Sequence, residues 1–378
     1  MVKIVYQRGG TSKGAYILDN ELPKDKLKRD KVILSIYGSP DIRQIDGIGG
    51  ADSLSSKVAL IKRSTRIDAD IEYTFGQVSI DKPFIDYNSN CGNILAGVGP
   101  FAVDEGLVPA VEPITKVRIY NTNTKKIIVA EVPVENGKFK SEGDFSIAGV
   151  PGTGAKIVLN FKDTAGSKTG KLLPTENVTD WIELKNGKNL EVSIVDATTP
   201  AIFVRASDLG LTGKELPDQV NSNVELLELL EEIRGIVGEK IGLIENKEEI
   251  TEKSPAIPKI VFLATSSNYV DVNGEEIMSE EISFIARTMS MQKMHKAFAV
   301  TGGICTSAAA IIPGTIVNQL ANSKTITGNV RIGHPSGTME FNVKMENKEG
   351  EFHLENVSIA RTARRIMEGF VHVPSSLM

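Results

Sequence analysis

Most apolar positions of the chain fall in short runs that partly alternate with polar residues and are separated by Gly- or Asn-containing turns. β-Branched residues are frequent in these runs, and this combination is typical of β-strands. The pattern predicts strands at 71–80, 117–122, 125–134, 156–161, 191–195, 259–264, 329–332, 339–345 and 351–359.

Apolar residues at helical spacing are confined to a few segments. Two of these segments are rich in Ala and Gly, as expected of helices buried within a sheet-rich unit. The sequence therefore predicts an α+β fold in which strands surround a small number of buried helices. The predicted helices lie at 24–37, 93–104, 224–238, 280–293 and about 307–318.

The chain contains two pairs of similar segments in the same order. Residues 11–17 resemble 198–204, and the helix start at 91–93 resembles 301–303. The second pair is further apart than the first, and we attribute the difference to one additional helix at 224–233. This internal repeat predicts two pseudo-symmetric lobes.

The boundary between the lobes is expected in a polar stretch at 174–188. The first lobe is then predicted at 1–183 and the second at 184–365, with the chain end, about 366–378, returning to the first lobe. The length of 378 residues supports this division, since it exceeds what one hydrophobic core usually holds.

Composition narrows the class of protein. Hydrophobic residues make up 41% of the chain, and 43 Lys and Arg residues nearly balance 48 Asp and Glu residues. Because no long basic run is present, we expect no nucleic-acid partner. The chain start resembles a strand rather than a targeting segment, and no apolar stretch reaches membrane-spanning length. Two cysteines do not make a disulfide framework, so we expect a cytoplasmic protein with reduced thiols and no membrane association.

The segment 87–93 carries the most specific chemical signal. It is rich in Asn and leads directly into a small-residue helix, so Asn90 is a good N-cap candidate. Cys91 would then lie where free backbone N–H groups and the helix dipole stabilise a thiolate and attract anions. A cysteine that only packs is the alternative, but the polar loop around it favours an acid–base or nucleophilic role.

Two further loops carry polar groups beside glycines. The loop 8–14 offers backbone N–H groups and the hydroxyls of Thr11 and Ser12, which suit a carboxylate or phosphate, although it lacks the spacing of a Walker loop. In the loop 46–60, Lys57 precedes an apolar run, and a lysine confined in this way is a candidate general base. A solvated surface lysine at the start of a strand is the alternative.

The second small-residue helix is preceded by His295, which is either an acid–base or carboxylate-binding group or a structural histidine near a helix end. Because they match 91–93, Thr301, Gly302 and Gly303 would place a second helix N-terminus at the same cleft. Two such termini suit a substrate with two or more carboxylates. The His residues are scattered, so no zinc or other metal site is predicted.

Motifs along nearly the whole chain carry a family resemblance, and the most specific of them is the Asn-Cys-Gly-Asn run. They lie at 8–14, 44–47, 49–52, 55–57, 87–93, 121–124, 294–297, 312–315 and 333–337. With these motifs the chain resembles the 2-methylaconitate isomerase and 3-methylitaconate Δ-isomerase family, which is distantly related to diaminopimelate epimerase.

The resemblance implies two epimerase-like lobes, each a barrel-like, mostly antiparallel sheet around a central helix, with the active site between them. It also implies cofactor-independent proton transfer on unsaturated di- or tricarboxylic acids. The epimerase uses one cysteine from each lobe. Cys91 matches the first, but Thr301 stands at the second, which disfavours a two-thiol racemase. The family's isomerases are similar in pairing the remaining cysteine with a lysine, here Lys57.

The resulting hypothesis is a 1,3 shift of an allylic proton that moves a C=C bond in a small acid, with Lys57 and Cys91 exchanging the proton in either order. The favoured activities are 3-methylitaconate Δ-isomerase and 2-methylaconitate cis–trans isomerase, in a homodimer. An oxalomesaconate-type tautomerase, an amino-acid epimerase and a non-catalytic carboxylate-binding protein are the alternatives. The candidate substrate-binding residues are Thr11, Ser12, Asn90, Gly92, Asn93, His295, Thr301, Gly302 and Gly303.

Overall fold

The computed structural model describes residues 1–87, 91–348 and 351–377, without the side chains of residues 324 and 326. The chain folds into two compact units. Unit 1 combines Met1–Phe161 with Ile359–Met378, and unit 2 spans Lys162–Ser358. Among the described residues, no helix has both the length and the apolar content needed to cross a membrane.

Unit 1 begins with nine strands and two helices. They are β1 (Val2–Gly9), β2 (Ser12–Leu18), α1 (Lys26–Tyr37), β3 (Lys57–Arg63), β4 (Ile71–Val78), β5 (Ile85–Asp86), α2 (Gly92–Asp104), β6 (Ile114–Asn121), β7 (Lys126–Glu135), β8 (Lys138–Phe139) and β9 (Ile157–Lys162). β1 and β2 form a hairpin, β2 runs parallel to β3, and β3 pairs antiparallel with β4. β4 runs parallel to β6, which pairs antiparallel with β7.

Unit 2 repeats this order of pairings. Its elements are β10 (Asp180–Glu183), β11 (Asn189–Ala197), β12 (Thr199–Arg205), α3 (Pro217–Asn221), α4 (Val224–Lys240), α5 (Ile250–Lys253), β13 (Lys259–Thr265), β14 (Tyr269–Val270), β15 (Glu276–Ile277), β16 (Phe284–Ser290), β17 (Lys293–Met294), α6 (Val300–Ile311), α7 (Ile316–Leu320), β18 (Asn329–His334), β19 (Gly337–Lys348) and β20 (Glu351–Arg361). β11 and β12 form the hairpin, β12 runs parallel to β13, and β13 pairs antiparallel with β16. β16 runs parallel to β18, which pairs antiparallel with β19.

The internal repeat predicted from the sequence is therefore present in the topology, but the additional helix was assigned wrongly. α4 lies between the parallel strands β12 and β13, just as α1 lies between β2 and β3. α4 is thus the counterpart of α1 and not an insertion. The extra length of unit 2 lies in α3 and α5 on either side of α4 and in the small hairpin formed by β14 and β15.

The division between the units differs from the predicted boundary at 183 and 184, because the segment after Phe161 is attached to unit 2. Asp196 on β11 is fully buried, and its carboxylate accepts hydrogen bonds from the Ser167 hydroxyl at 2.6 Å and the Lys168 N–H at 2.7 Å. The chain also returns to unit 1 earlier than expected, at Ile359. β21 (Ala363–Val371) then pairs antiparallel with β1 along almost its whole length.

Each unit packs its strands against one buried small-residue helix. α2 contacts β1, β2, β3, β6 and β7, and α6 contacts β11, β12, β18 and β19. The glycines are required by these contacts, since a Cβ on Gly97 would lie 2.4 Å from the hydroxyl of Tyr16, and one on Gly303 would lie 2.2 Å from the ring of Phe341. The predicted α+β architecture of two similar units is confirmed.

All of the predicted strands overlap observed ones, whereas two helices were wrong or misplaced. The segment 280–293 contains β16, a strand that is almost entirely buried because β13 and β18 flank it on both sides. A strand of this kind loses the alternation that distinguishes it from a helix. The helix expected at 307–318 starts earlier, as α6, and is interrupted at Pro313 before α7 begins.

Candidate active site

Cys91 is the N-cap residue of α2. Its carbonyl accepts the first helical hydrogen bond, from the Leu95 N–H at 3.1 Å, while its free thiol is partly buried and makes no capping bond. The N–H groups of Gly92, Asn93 and Ile94 have no acceptor within the helix, and the positive end of the helix dipole lies there. Cys91 is thus itself the cap of the helix, and its acid–base role stays a prediction. Asn90, the predicted cap, lies outside the described residues.

The turn between β1 and β2 packs directly on this helix end. A Cβ on Gly9 would lie 2.4 Å from the Asn93 carbonyl oxygen, and one on Gly10 would lie 2.2 Å from Asn93 Oδ1. Gly10 also has a backbone φ of +50°, which residues other than glycine rarely adopt. Two successive glycines therefore bring Thr11 and Ser12 to the first turn of α2.

Five buried side-chain atoms of unit 1 have no hydrogen-bond partner among the described residues. Two are the Nε atoms of Arg29 and Arg361, and the other three are Ser12 Oγ, Asn93 Oδ1 and Tyr73 Oη. Buried polar atoms are nearly always hydrogen-bonded, so each such exception requires an explanation. Ser12 stands opposite Gly9 in the hairpin and is therefore on the turn that touches Asn93. The hydroxyls of Ser12 and Tyr73 are donors that a bound carboxylate would satisfy.

Tyr73 belongs to the surroundings of Cys91. Burial raises the pKa of the fully buried Tyr73 phenol well above its usual value, and negative charge on Cys91 and on Tyr16 raises it further because both groups lie within Coulombic range. The same charge on Cys91 adds to the effect of burial in raising the pKa of Tyr16. Tyr73 is therefore a neutral hydroxyl donor near the thiol.

Lys57 is the first residue of β3, and it is buried, with only 7% of its surface exposed. Its Nζ donates a 2.5 Å hydrogen bond to Oε1 of Gln77, the residue directly opposite it on β4. Gln77 in turn donates from Nε2 to the Ser56 carbonyl at 2.9 Å, which fixes the orientation of its amide. The Lys57 ammonium also lies 5.3 Å from the centre of the Phe75 ring. The alternative of a solvated surface lysine is wrong.

The backbone of Lys57 is held as firmly as its side chain. The Tyr37 hydroxyl donates a hydrogen bond to the Lys57 carbonyl and accepts one of 2.8 Å from the Ala15 N–H. Gly14 stands beside Lys57 in the parallel pair of β2 and β3, and a Cβ there would lie 1.8 Å from the Lys57 carbonyl oxygen. The close approach of the two strands at Lys57 thus depends on Gly14.

Strand β4 links Lys57 to Cys91. Tyr73, Phe75 and Gln77 alternate along the strand, so their side chains project from the same face. Gln77 and Phe75 contact the Lys57 ammonium, and the charge of Cys91 acts on Tyr73 as it does on Tyr16. Lys57 therefore contacts the face of β4 that also carries Tyr73, and the Tyr73 phenol lies within Coulombic range of Cys91.

A further residue, Asn123, was not assigned a role from sequence although it lies in one of the family motifs. Its Nδ2 donates to the carbonyls of Tyr87 at 2.7 Å and Phe75 at 2.9 Å, and its Oδ1 accepts from the Phe75 N–H at 2.8 Å. Asn123 thus ties β4 to the segment that leads towards Cys91. Gln77, Tyr73 and Tyr37 were also missed, since nothing in their local sequence marks them.

In unit 2, the residues matched to 91–93 lie inside the helix rather than at its cap. α6 begins at Val300 with Ala299 as N-cap, and the Gly303 N–H donates to the Ala299 carbonyl at 2.8 Å. Thr301 is consequently the second helical residue and does not occupy the position of Cys91. Its carbonyl accepts a 2.8 Å hydrogen bond from the Thr198 hydroxyl.

The remaining candidates of unit 2 differ in their surroundings. Gly303 is covered by the Phe341 ring and acts in packing, whereas a Cβ on Gly302 would lie 3.6 Å from the side chain of Lys259. His295 is half-buried, and its Nδ1 accepts a 3.0 Å hydrogen bond from the Ala297 N–H. Cys305 is fully buried inside α6, where burial raises the pKa of its thiol.

A family model and related proteins match this chain over almost its whole length. The family model described as PrpF protein matches residues 1–374. The 3-methylitaconate isomerase of Eubacterium barkeri is 52% identical over 373 residues, which cover 98% of this chain and 97% of that protein. The 2-methyl-aconitate isomerase of Cupriavidus necator is 38% identical over 386 residues, which cover 99% of this chain and 97% of that protein.

The fold has a similar counterpart among solved structures. The crystal structure of a methylitaconate-delta-isomerase superimposes with a TM-score of 0.88 at 51% sequence identity. The match covers 100% of this chain and 96% of the other.

Proposed function

The chain belongs to the PrpF family and is an isomerase, and from this premise we propose that it moves a C=C bond in a small unsaturated di- or tricarboxylic acid by cofactor-independent proton transfer. The proposed substrates are 3-methylitaconate, as named for the relative at 52% identity, and 2-methylaconitate, as named for the relative at 38% identity. The observation that carries the proposal is that Lys57 contacts Gln77 and Phe75 on the face of β4 whose third such side chain, Tyr73, lies within Coulombic range of Cys91.

The chemistry requires one group that removes a proton and one that returns a proton elsewhere. A C–H bond next to the alkene of such an acid is weakly acidic, because its anion is a dienolate whose charge spreads onto the carboxylate. One of Lys57 and Cys91 takes this proton, and the other delivers a proton to the far carbon of the three-carbon allyl unit, so the double bond moves by one position and the substrate gains or loses no atom. Proton transfer by a positioned side chain typically contributes about 10²- to 10⁴-fold to a rate.

The dienolate charge needs donors that are already in place. The N–H groups of Gly92 and Asn93, which have no acceptor within α2, and the buried hydroxyls of Ser12 and Tyr73 supply such donors in unit 1. Donors of this kind are worth about 3 kcal/mol each where they have been removed by mutation. Thr11, Asn90, His295, Thr301 and Gly302 stay proposed substrate-binding residues, whereas Gly303 is left out because it packs against Phe341. We further propose that the protein is a homodimer and that it is cytoplasmic. A mass measurement in solution would test the homodimer.

Proton NMR of the purified protein in D₂O tests the function directly. Methylitaconate, 2-methylaconitate and trans-aconitate are incubated in separate tubes without an added cofactor. We expect the vinyl or methyl signals of one acid to convert to those of its isomer, with deuterium entering at the allylic carbon. If all three acids stay unchanged while the protein is folded, the proposed reaction is wrong, and the non-catalytic carboxylate-binding protein takes its place.

Variants assign the reaction to the two residues. Lys57→Met and Cys91→Ala are expected to lose turnover by about 10³-fold or more while the folded state is kept. Lys62→Met is the matched control, since Lys62 lies on the same strand, is exposed and pairs with Glu72 at 3.1 Å. Turnover retained by Lys57→Met would contradict its role as a proton-transfer residue.

A further inference from the structure

Arg361, the last residue of β20, is a buried cation of unit 1. Only 5% of its surface is exposed, and burial lowers the pKa of its guanidinium to about 10, so the group is still charged at neutral pH. Among the described residues, its Nη1 donates to the Ala360 carbonyl at 3.0 Å, its Nε has no acceptor, and no carboxylate pairs with it. Buried charges are normally paired, so this arginine requires an explanation.

The neighbouring strand β21 turns one of its faces towards α2. Ala363 stands opposite Gly9 on β1, and a Cβ on Gly9 would lie 2.4 Å from the Asn93 carbonyl oxygen, in the first turn of the helix. Arg365 lies on the same face and donates a 2.6 Å hydrogen bond to Glu105, the C-cap residue of α2. The strand therefore runs along α2 from the start of the helix towards its end.

Arg361 precedes Ala363 on this helix-facing side. The Gly10 N–H donates to the Thr362 carbonyl at 2.9 Å, so the pairing with β1 continues to Thr362. Since alternate residues of an extended segment project to the same side, Arg361 and Ala363 share the face towards α2. The Thr362 hydroxyl lies on the other side, where it accepts a 3.0 Å hydrogen bond from Arg8. The guanidinium of Arg361 thus belongs to the N-terminal end of α2.

A second buried donor without a partner faces the same helix end. Ser12 on β2 stands opposite Gly9 from one side, as Ala363 on β21 does from the other, so Ser12 also projects towards α2. Its hydroxyl makes no hydrogen bond within the part of the chain that the structure describes. Neighbouring strands lie about 4.8 Å apart, so Ser12 and Ala363 are separated by about 10 Å across β1. Donors spread over this width suit a small acid with more than one carboxylate.

We propose that Arg361 binds a carboxylate of the substrate and takes no part in proton transfer. The inference rests on the proposed function, since it assigns an anchoring cation to the same acid. A guanidinium binds a carboxylate through two parallel hydrogen bonds, and Nε is one of the donors available for them. Such a contact is present in the bound substrate and in the transition state alike, so it lowers KM and leaves kcat nearly unchanged.

Kinetics of Arg361→Met provide the first test, because methionine is a long, flexible side chain without the charge and the donors. We expect KM to rise about 10- to 100-fold, with kcat changed less than about threefold. Arg361→Lys should recover part of the loss, since lysine keeps the charge but not the planar pair of donors. The control is Arg364→Met, at an exposed arginine on the opposite face of β21. An unchanged KM in Arg361→Met, or a loss confined to kcat, would overturn the proposal.

Stability without a ligand separates a binding arginine from one that holds the fold together. Removing an arginine that supports the fold lowers stability, whereas a buried cation without a partner is itself destabilising. We therefore expect unliganded Arg361→Met to have the same Tm as the wild type or a higher one. A clearly lower Tm would assign Arg361 to the fold and reject the binding role.

Methylsuccinate, a saturated dicarboxylate without an alkene, tests the site without turnover. At 100 times its Kd it should raise the Tm of the wild type by about 2–4 °C, and the Tm of Arg361→Met by much less. Equal shifts in both proteins, or no shift in the wild type, would refute the site. Stabilisation that requires Arg361 in a protein that isomerises none of the acids would support the site and reject the proposed reaction. Isomerisation with the same KM in both proteins would reject the role of Arg361 and retain the reaction.

Discussion

Lys57 and Gln77 stand directly opposite each other on the antiparallel strands β3 and β4, and the lysine donates a 2.5 Å hydrogen bond to the glutamine side chain. The acceptor is the neutral amide oxygen of Gln77, so this hydrogen bond orients the lysine without placing a charge beside it. The sequence around neither residue predicts this contact.

Replacing Gln77 with methionine removes the acceptor but preserves the length of the side chain. We expect kcat to fall about 10- to 100-fold, because a hydrogen bond to a charged group contributes about 1.5–3 kcal/mol and Lys57 would lose its orientation. Steady-state kinetics on the substrate identified by NMR measure the effect. The matched control is Gln319→Met, at a partly exposed glutamine in unit 2 that bonds to Arg205. Equal losses in the two variants would contradict the positioning role of Gln77.

Gly14→Ala tests the strand contact that places Lys57. The added Cβ would lie 1.8 Å from the Lys57 carbonyl oxygen, so β2 and β3 have to separate. We expect a loss of about 3 kcal/mol in stability, at the upper end for overpacking, together with loss of activity. Chemical denaturation measures the stability. Gly369→Ala on β21 is the control, since no atom lies within 4 Å of a Cβ there, and it should leave both properties nearly unchanged.

Asn123→Asp tests the residue that joins β4 to the segment before Cys91. Aspartate has the same shape but cannot donate to the carbonyls of Tyr87 and Phe75, so two hydrogen bonds are replaced by repulsion. We expect kcat to fall more than tenfold and the rate of Cys91 alkylation to change. Asn318→Asp, which removes a comparable bond to the Ala310 carbonyl in unit 2, should change stability but not the reactivity of Cys91. A normal alkylation rate in Asn123→Asp would disprove the link.

Arg365 on β21 attaches the end of the chain to Glu105, and this contact predicts that the free energy of unfolding depends on pH. Burial would raise the pKa of Glu105, but hydrogen bonds from Arg365 at 2.6 Å and Lys3 at 3.1 Å outweigh it and hold the pKa below its usual value. This contribution is present above the unfolded-state pKa of about 4.3 and is lost as the pH falls through the lower folded value.

Arg365→Met should therefore lower the stability of unit 1 by about 1 kcal/mol near neutral pH, as expected of a partly exposed ion pair. The difference from the wild type should shrink as the pH falls through the lowered folded-state pKa of Glu105, because the protonated carboxyl no longer pairs with Arg365 in the wild type. Urea unfolding at a series of pH values measures it. A difference that stays constant down to the lowest pH would show that Arg365 acts through packing alone.

Much of the fold could be predicted because its signals are local. The strands, the small-residue helix α2 and the order of the repeated segments follow from runs of neighbouring residues. Where a local pattern was ambiguous, the tertiary context decided: 284–290 became the strand β16 because it lies between β13 and β18, which the sequence does not show. The place of α4 likewise became clear only from the pairing of β12 with β13.

The sequence by itself determined the chemistry that is available: one cysteine at the start of a glycine-rich helix and one lysine at the start of a strand. Each of these two predictions depends only on residues within a few positions of the cysteine or the lysine, so neither needed three-dimensional information. Only the tertiary structure decided that Gln77 orients Lys57 and that Tyr73 lies within Coulombic range of Cys91. Those relationships depend on strand register between distant segments, and register is fixed by the packing of the whole unit.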